Sequence, residues 1–90
     1  MAEVTRIVTI KNKQGLHARP VMRFVDLAGQ FQSRILIKRG DRLVDAKNPM
    51  EMMLLEATKG TRLEVLADGE DAEDAIRALA ELVRAGFGEA

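Results

Sequence analysis

Cysteine is absent from the 90 residues, so neither a disulfide framework nor a thiolate metal site can be built. Histidine occurs once, and one imidazole without cysteine argues against zinc. The only aromatics are three phenylalanines, and 14 basic side chains are matched by 14 acidic ones. The chain therefore has neither the stacking residues nor the positive field that nucleic acid or an anionic membrane would call for. No apolar run reaches the ~18 residues of a membrane span. The first residues, Met1-Ala2-Glu3-Val4-Thr5-Arg6, carry neither the basic nor the apolar region of a secretory signal. These absences lead to the expectation of a cytoplasmic protein with no nucleic acid, no membrane insertion, no metal and no cofactor.

What is present describes a globular domain. Apolar residues make up 47% of the chain and charged residues 31%, a balance that folds rather than remaining disordered. A chain of this size buries roughly 60–65% of its unfolded surface, enough for one modest core in one domain spanning residues 1–90. Residues 4–10 are rich in β-branched types and read as a strand, with Val4, Val8 and Ile10 on one face and Thr5, Ile7 and Thr9 on the other. A polar loop, Lys11 to Gly15, follows. A helix is expected from Ala18 to Ala28, with Val21, Phe24, Val25 and Ala28 as its inward stripe and Gly29 as its C′ residue. Ser33–Lys38 and Arg42–Ala46 read as strands joined by a turn at Arg39-Gly40-Asp41.

Asn48-Pro49-Met50-Glu51 is a helix start. Asn48 can cap, Pro49 fits the first helical position, and Glu51 stands three residues on, as in a capping box. This second helix is expected to run to Ala57, with Gly60 ending it. Met52 and Leu55 can face inward together. Met50, Met53 and Leu54 cannot all join them on one stripe, so they form either an exposed partner patch or part of a helix buried on most sides. Thr61–Ala67 alternates as a half-covered antiparallel strand. Asp68-Gly69-Glu70-Asp71 is a turn, and Ala72–Ala85 is a last helix with Gly86 beyond it and Phe87 available to fold back. The order βαββαβα, with too little chain for two helical layers, predicts one sheet carrying its helices on one face.

Gly15-Leu16-His17-Ala18-Arg19-Pro20 is the segment with chemistry. Pro20 places His17 at a helix start, where free N–H groups and the partial positive charge of the dipole suit an anion. Arg19 adds a guanidinium able to take two phosphate oxygens. Gly15 lets the backbone bend before the histidine. A neutral imidazole near pH 7 has a free nitrogen that can carry and release a phosphoryl group. A lone histidine here is also compatible with a cap or a surface residue. Met22, one residue from the arginine side, is either a partly exposed apolar residue or part of a docking surface.

The segment resembles the active-site motif of the HPr family, the histidine-containing phosphocarriers of the bacterial phosphotransferase system, and the likeness extends over nearly the whole chain. It implies an α+β open-faced sandwich in which three helices cover one face of a four-stranded antiparallel sheet. It implies phosphorylation of His17 on Nδ1 by phosphorylated enzyme I, with phosphoenolpyruvate as the source, and onward transfer to a histidine of an enzyme IIA protein. Arg19 matches the family's phosphate-binding arginine, and the N–H groups of Ala18 and Arg19 would complete the pocket. Docking would fall at Met22, Met50, Met53 and Leu54. Asn48 stands where Gram-positive members carry a regulatory serine, so that control is not expected. Glu56–Gly60 and Val83–Gly88 are more similar to the nitrogen-type branch, NPr.

Other classes stay in view: a binding module of the same fold with a silent His17, and a small nucleic-acid binder using Lys11, Lys13, Arg19 and Arg23. A turnover enzyme lacks support, since no acid–base pair or oxyanion arrangement accompanies His17. Nothing demands more than a monomer.

Overall fold

The structure, a computed structural model, describes residues 3–89. Met1 and Ala2 of the N-terminal segment read above, and Ala90, lie outside it. The elements follow as β1 (Glu3–Thr9), α1 (Ala18–Ala28), β2 (Arg34–Arg39), β3 (Arg42–Asp45), α2 (Pro49–Met53), β4 (Arg62–Asp68) and α3 (Ala72–Arg84), with a 3₁₀ turn at Gly86–Gly88. The sheet has the order β1-β4-β2-β3 and every pairing is antiparallel.

Alternation along the strands decides which face is covered. Val44 stands beside Ile37 and Ile37 beside Val65, Ile35 beside Ala67, and Val8 beside Leu63. All of these are buried. The opposite face presents Ile7 and Leu43, both half exposed. The helices lie on the first face, supplying Val21, Phe24 and Ala28 from α1 and Ala75, Ile76, Leu79 and Val83 from α3. Each large side chain fully withdrawn from water here is worth about 1.5–3 kcal/mol.

α1 stops at Ala28 as expected, but its Gly29 differs from the sequence reading in conformation, and α2 differs in length. Gly29 closes α1 in the right-handed region, at φ −65°, because the chain continues in helical turns: Gly29 N–H donates to Val25 O and Gln30 N–H to Leu27 O. Its freedom from a Cβ is not used there. The second correction concerns α2, which stops at Met53 rather than Ala57, well before Gly60. Leu54, Leu55 and Glu56 donate to carbonyls three residues back, so the last turn tightens to 3₁₀ geometry. Glu56 then turns left-handed at φ +49°. Guanidinium groups take over the carbonyls left over: Arg39 donates to Leu55 O and Glu56 O, and Arg42 to Leu54 O.

At the other end of α2, Asn48 Oδ1 accepts from Met50 N–H and Glu51 N–H, 3.0 and 3.2 Å away. The reciprocal limb of the capping box is redirected, since Glu51 Oε1 accepts from Asp45 N–H at 2.9 Å. This ties the helix start to the end of β3.

Asp71 lies in the expected turn and is the N-cap residue of α3. It makes no side-chain cap for α3. Its carboxylate accepts from Gln32 N–H, Ser33 N–H and the Ser33 hydroxyl, fixing the loop that leads into β2. Those bonds, the Ser33 hydroxyl first, hold the carboxyl below its ordinary range against the cost of desolvation.

Candidate functional site

His17 is the N-cap residue of α1, with extended backbone at φ −85° and ψ −169°. Its side chain makes no bond to the helix start. Pro20 has no N–H, and the first helical donor to close a turn is Val21, onto His17 O at 3.1 Å. The N–H groups of Ala18 and Arg19 thus belong to the unsatisfied first turn. The imidazole is 36% exposed, so a partner can reach it.

The approach to His17 is set by Gly15. It sits at φ +71°, and a Cβ there would lie 2.5 Å from Ala57 O and 2.9 Å from Thr58 Cα. Only glycine allows this close pass of two chain segments. Leu16 N–H donates to Ala57 O at 2.8 Å, and Leu16 itself is buried. Asn12, buried at the loop's base, donates through Nδ2 to Gly15 O at 2.7 Å.

Phe87 folds back as expected, and the sequence reading did not foresee that this brings Glu89 to His17. Gly86, Phe87 and Gly88 are all left-handed, at φ +65°, +58° and +75°. Phe87 is buried completely and anchors the reversal. Glu89 is thereby returned to the first helix, where its Oε1 lies 3.1 Å from His17 Nε2 and accepts from Asn12 Nδ2, also at 3.1 Å. The His17 hydrogen bond holds the Glu89 carboxyl below the usual carboxylate range, helped by Asn12 and by the charge of Arg19 and opposed by desolvation. The only local signal was a Gly-Phe-Gly string able to reverse the chain just before an acidic residue.

His17, Arg19, Lys13, Arg23 and Glu89 line one open cleft of about 540 Å³. Three cations therefore flank the imidazole, an arrangement suited to an anion. Among the described residues, no three His, Cys, Asp or Glu side chains gather where a metal could sit.

Of the expected docking residues, Met22 is 46% exposed, Met50 80%, Met53 44% and Leu54 55%. Met52 and Leu55 face inward and are buried. The alternative of an α2 buried on most sides is therefore excluded. α1 and α2 pack against each other. Asn48 spends its side chain on capping and has no hydroxyl. Among the described residues, no helix is long and apolar enough to cross a membrane.

A phosphocarrier of the open-faced sandwich type is the class that this fold and this histidine define, and comparison with known proteins agrees. Residues 4–85 match the family model described as the PTS HPr component phosphorylation site. The phosphocarrier protein HPr of Pseudomonas putida is 45% identical over 85 residues, 93% of this chain and 94% of that protein. The phosphocarrier protein NPr of Shewanella violacea is 38% identical over 90 residues, covering 100% of this chain and 99% of that one. The crystal structure of HPr-C-His from Thermoanaerobacter tengcongensis superposes with a TM-score of 0.90 at 43% identity, covering 100% of this chain and 99% of that one. The chain belongs to the HPr family of the phosphotransferase system: it is a phosphocarrier protein and not a turnover enzyme.

Proposed function

We propose that His17 accepts a phosphoryl group on Nδ1 from phosphorylated enzyme I, fed by phosphoenolpyruvate, and passes it to a histidine of an enzyme IIA protein in sugar uptake. The observation that carries this reading is the state of the imidazole. It stands at the start of α1 with Nε2 engaged by Glu89, and among the described residues Nδ1 has no hydrogen-bond partner. Arg19, which lines the same cleft as His17, and the free N–H groups of Ala18 and Arg19 at the same helix start support this reading. Phosphoryl transfer asks a protein mainly for such positioning and charge stabilisation. The grip is modest because the site is open, which suits a carrier that must also let go. Arg19 binds the group in transit, and Met22, Met50, Met53 and Leu54 form the apolar surface that meets enzyme I and the acceptor. A single copy in the cytoplasm, folded as one domain over residues 1–90, holds every group this reading uses, and it needs no metal or cofactor.

The likeness to an NPr over the full chain favours a second reading of the same chemistry, a nitrogen-type regulatory relay. The two differ in acceptor alone, so transfer assays against sugar-type and nitrogen-type enzyme IIA proteins separate them.

The deciding experiment incubates the protein with enzyme I and phosphoenolpyruvate and measures its intact mass. One phosphoryl group is gained by the wild type and none by His17→Ala, whose fold is unchanged by circular dichroism. Labelling of His17→Ala, or none of the wild type, ends the proposal.

A further inference from the structure

We propose, resting on the reading of His17 as the phosphoryl acceptor, that Glu89 is a positioning residue for the transfer. Its carboxylate fixes the Nε2–H tautomer of His17 and balances the positive charge the ring acquires when Nδ1 bonds to phosphorus.

An ionised carboxylate can only accept hydrogen bonds. With Glu89 Oε1 3.1 Å from Nε2, the hydrogen must be on Nε2. A neutral imidazole has one N–H, so Nδ1 keeps a bare lone pair. The carboxylate is itself held in place. Asn12 Nδ2 donates to the same oxygen, the buried Phe87 ring pins the chain two residues earlier, and the Glu89 side chain is only 17% exposed. This is a built position rather than a passing surface pair.

The chemistry gives the carboxylate a role in both directions. The Nδ1 lone pair attacks the phosphorus of the donor phosphohistidine, and the donor's N–P bond breaks with its electron pair remaining on the donor nitrogen. No proton moves. The His17 ring then bears phosphorus on Nδ1 and hydrogen on Nε2, and is cationic. Lys13, Arg19 and Arg23 line the same cleft and suit the phosphoryl oxygens, but they oppose a positive ring. Glu89 is the one carboxylate among the described residues that line the cleft, and it meets the ring at the nitrogen away from the phosphorus. A fixed counter-charge aimed where charge develops lowers the barrier. On onward transfer the electron pair returns to Nδ1, and the ring is again neutral with Nε2–H in place. The lowered pKa of Glu89 agrees with an ionised partner throughout.

The test compares wild type, Glu89→Ala and Glu89→Gln by two readouts. NMR of the nitrogen-labelled ring, with no partner protein present, should show Nε2 protonated in the wild type and a mixture of tautomers in Glu89→Ala. Single-turnover labelling by phosphorylated enzyme I should slow about fivefold in Glu89→Ala, the scale of one lost hydrogen bond. Glu89→Gln, which can still accept from Nε2 but carries no charge, should restore the tautomer and recover only part of the rate. The proposal is overturned if Glu89→Ala leaves either the tautomer or the rate unchanged. If the wild type is not labelled at all, the acceptor reading of His17 fails, while the tautomer comparison still reports on Glu89 alone.

Discussion

Leu16 donates its backbone N–H to the carbonyl of Ala57, 2.8 Å away, so the loop that presents His17 is fastened to the chain leaving α2. The histidine and the exposed methionines of α2 are therefore held in one arrangement by a contact between segments about forty residues apart in sequence. Gly15 makes that contact possible.

Gly15→Ala should therefore destabilise the fold by about 2–4 kcal/mol, because it forces a left-handed alanine and a clash with backbone that cannot retreat. Urea unfolding measures the loss. Phosphoryl acceptance should fall with it, since the fastening of the loop is broken.

Arg19 is exposed and contributes nothing to the core. Arg19→Ala should leave the unfolding midpoint where it is and slow phosphoryl transfer roughly tenfold, the scale of one charge-assisted hydrogen bond. Rapid-quench labelling gives the rate, and a rate equal to that of the wild type removes Arg19 from the site.

Met50 and Met53 reach solvent from a helix whose inward positions, Met52 and Leu55, are already buried. Met50→Asp and Met53→Asp should change stability by less than about 0.5 kcal/mol, as surface substitutions do. Each should weaken binding to enzyme I by roughly tenfold, by placing a charge in an apolar contact. Calorimetric titration supplies the affinity; retained affinity in both variants dismisses the patch.

Asp71 provides a pH prediction. Its carboxyl is held below 3.8 in the folded chain by Ser33 and Gln32, so folding favours the ionised form. That contribution is complete above about pH 4 and is lost as pH falls through the folded value. Asp71→Asn should be less stable than wild type at neutral pH, and the gap should narrow at about pH 3. Urea midpoints at the two pH values test it, and a gap that widens in acid contradicts the assignment.

Most of the architecture was legible because it rests on periodicity. Leu63, Val65 and Ala67 alternate and are buried; Ala72, Ala75, Ile76, Leu79 and Val83 follow helical spacing and are buried. The helix stop at Met53 was not legible, because the side chains that cap its carbonyls, Arg39 and Arg42, come from the β2–β3 hairpin. The bonding of Asp71 was not legible for a similar reason: its partners, Gln32 and Ser33, lie nearly forty residues earlier.

By itself the amino-acid order settled the elements, their succession, the face that α1, α3 and the strands bury, and the presence of one histidine at a helix start beside an arginine. These follow from local preferences and from the spacing of apolar side chains, which act within a few residues. Only the tertiary structure decided that Glu89, 72 positions away in the chain, closes on Nε2 of that histidine, and that Asn12 holds the same oxygen. Such contacts depend on where a packed core returns distant segments, and on Phe87 being buried in it, and no local pattern encodes that distance.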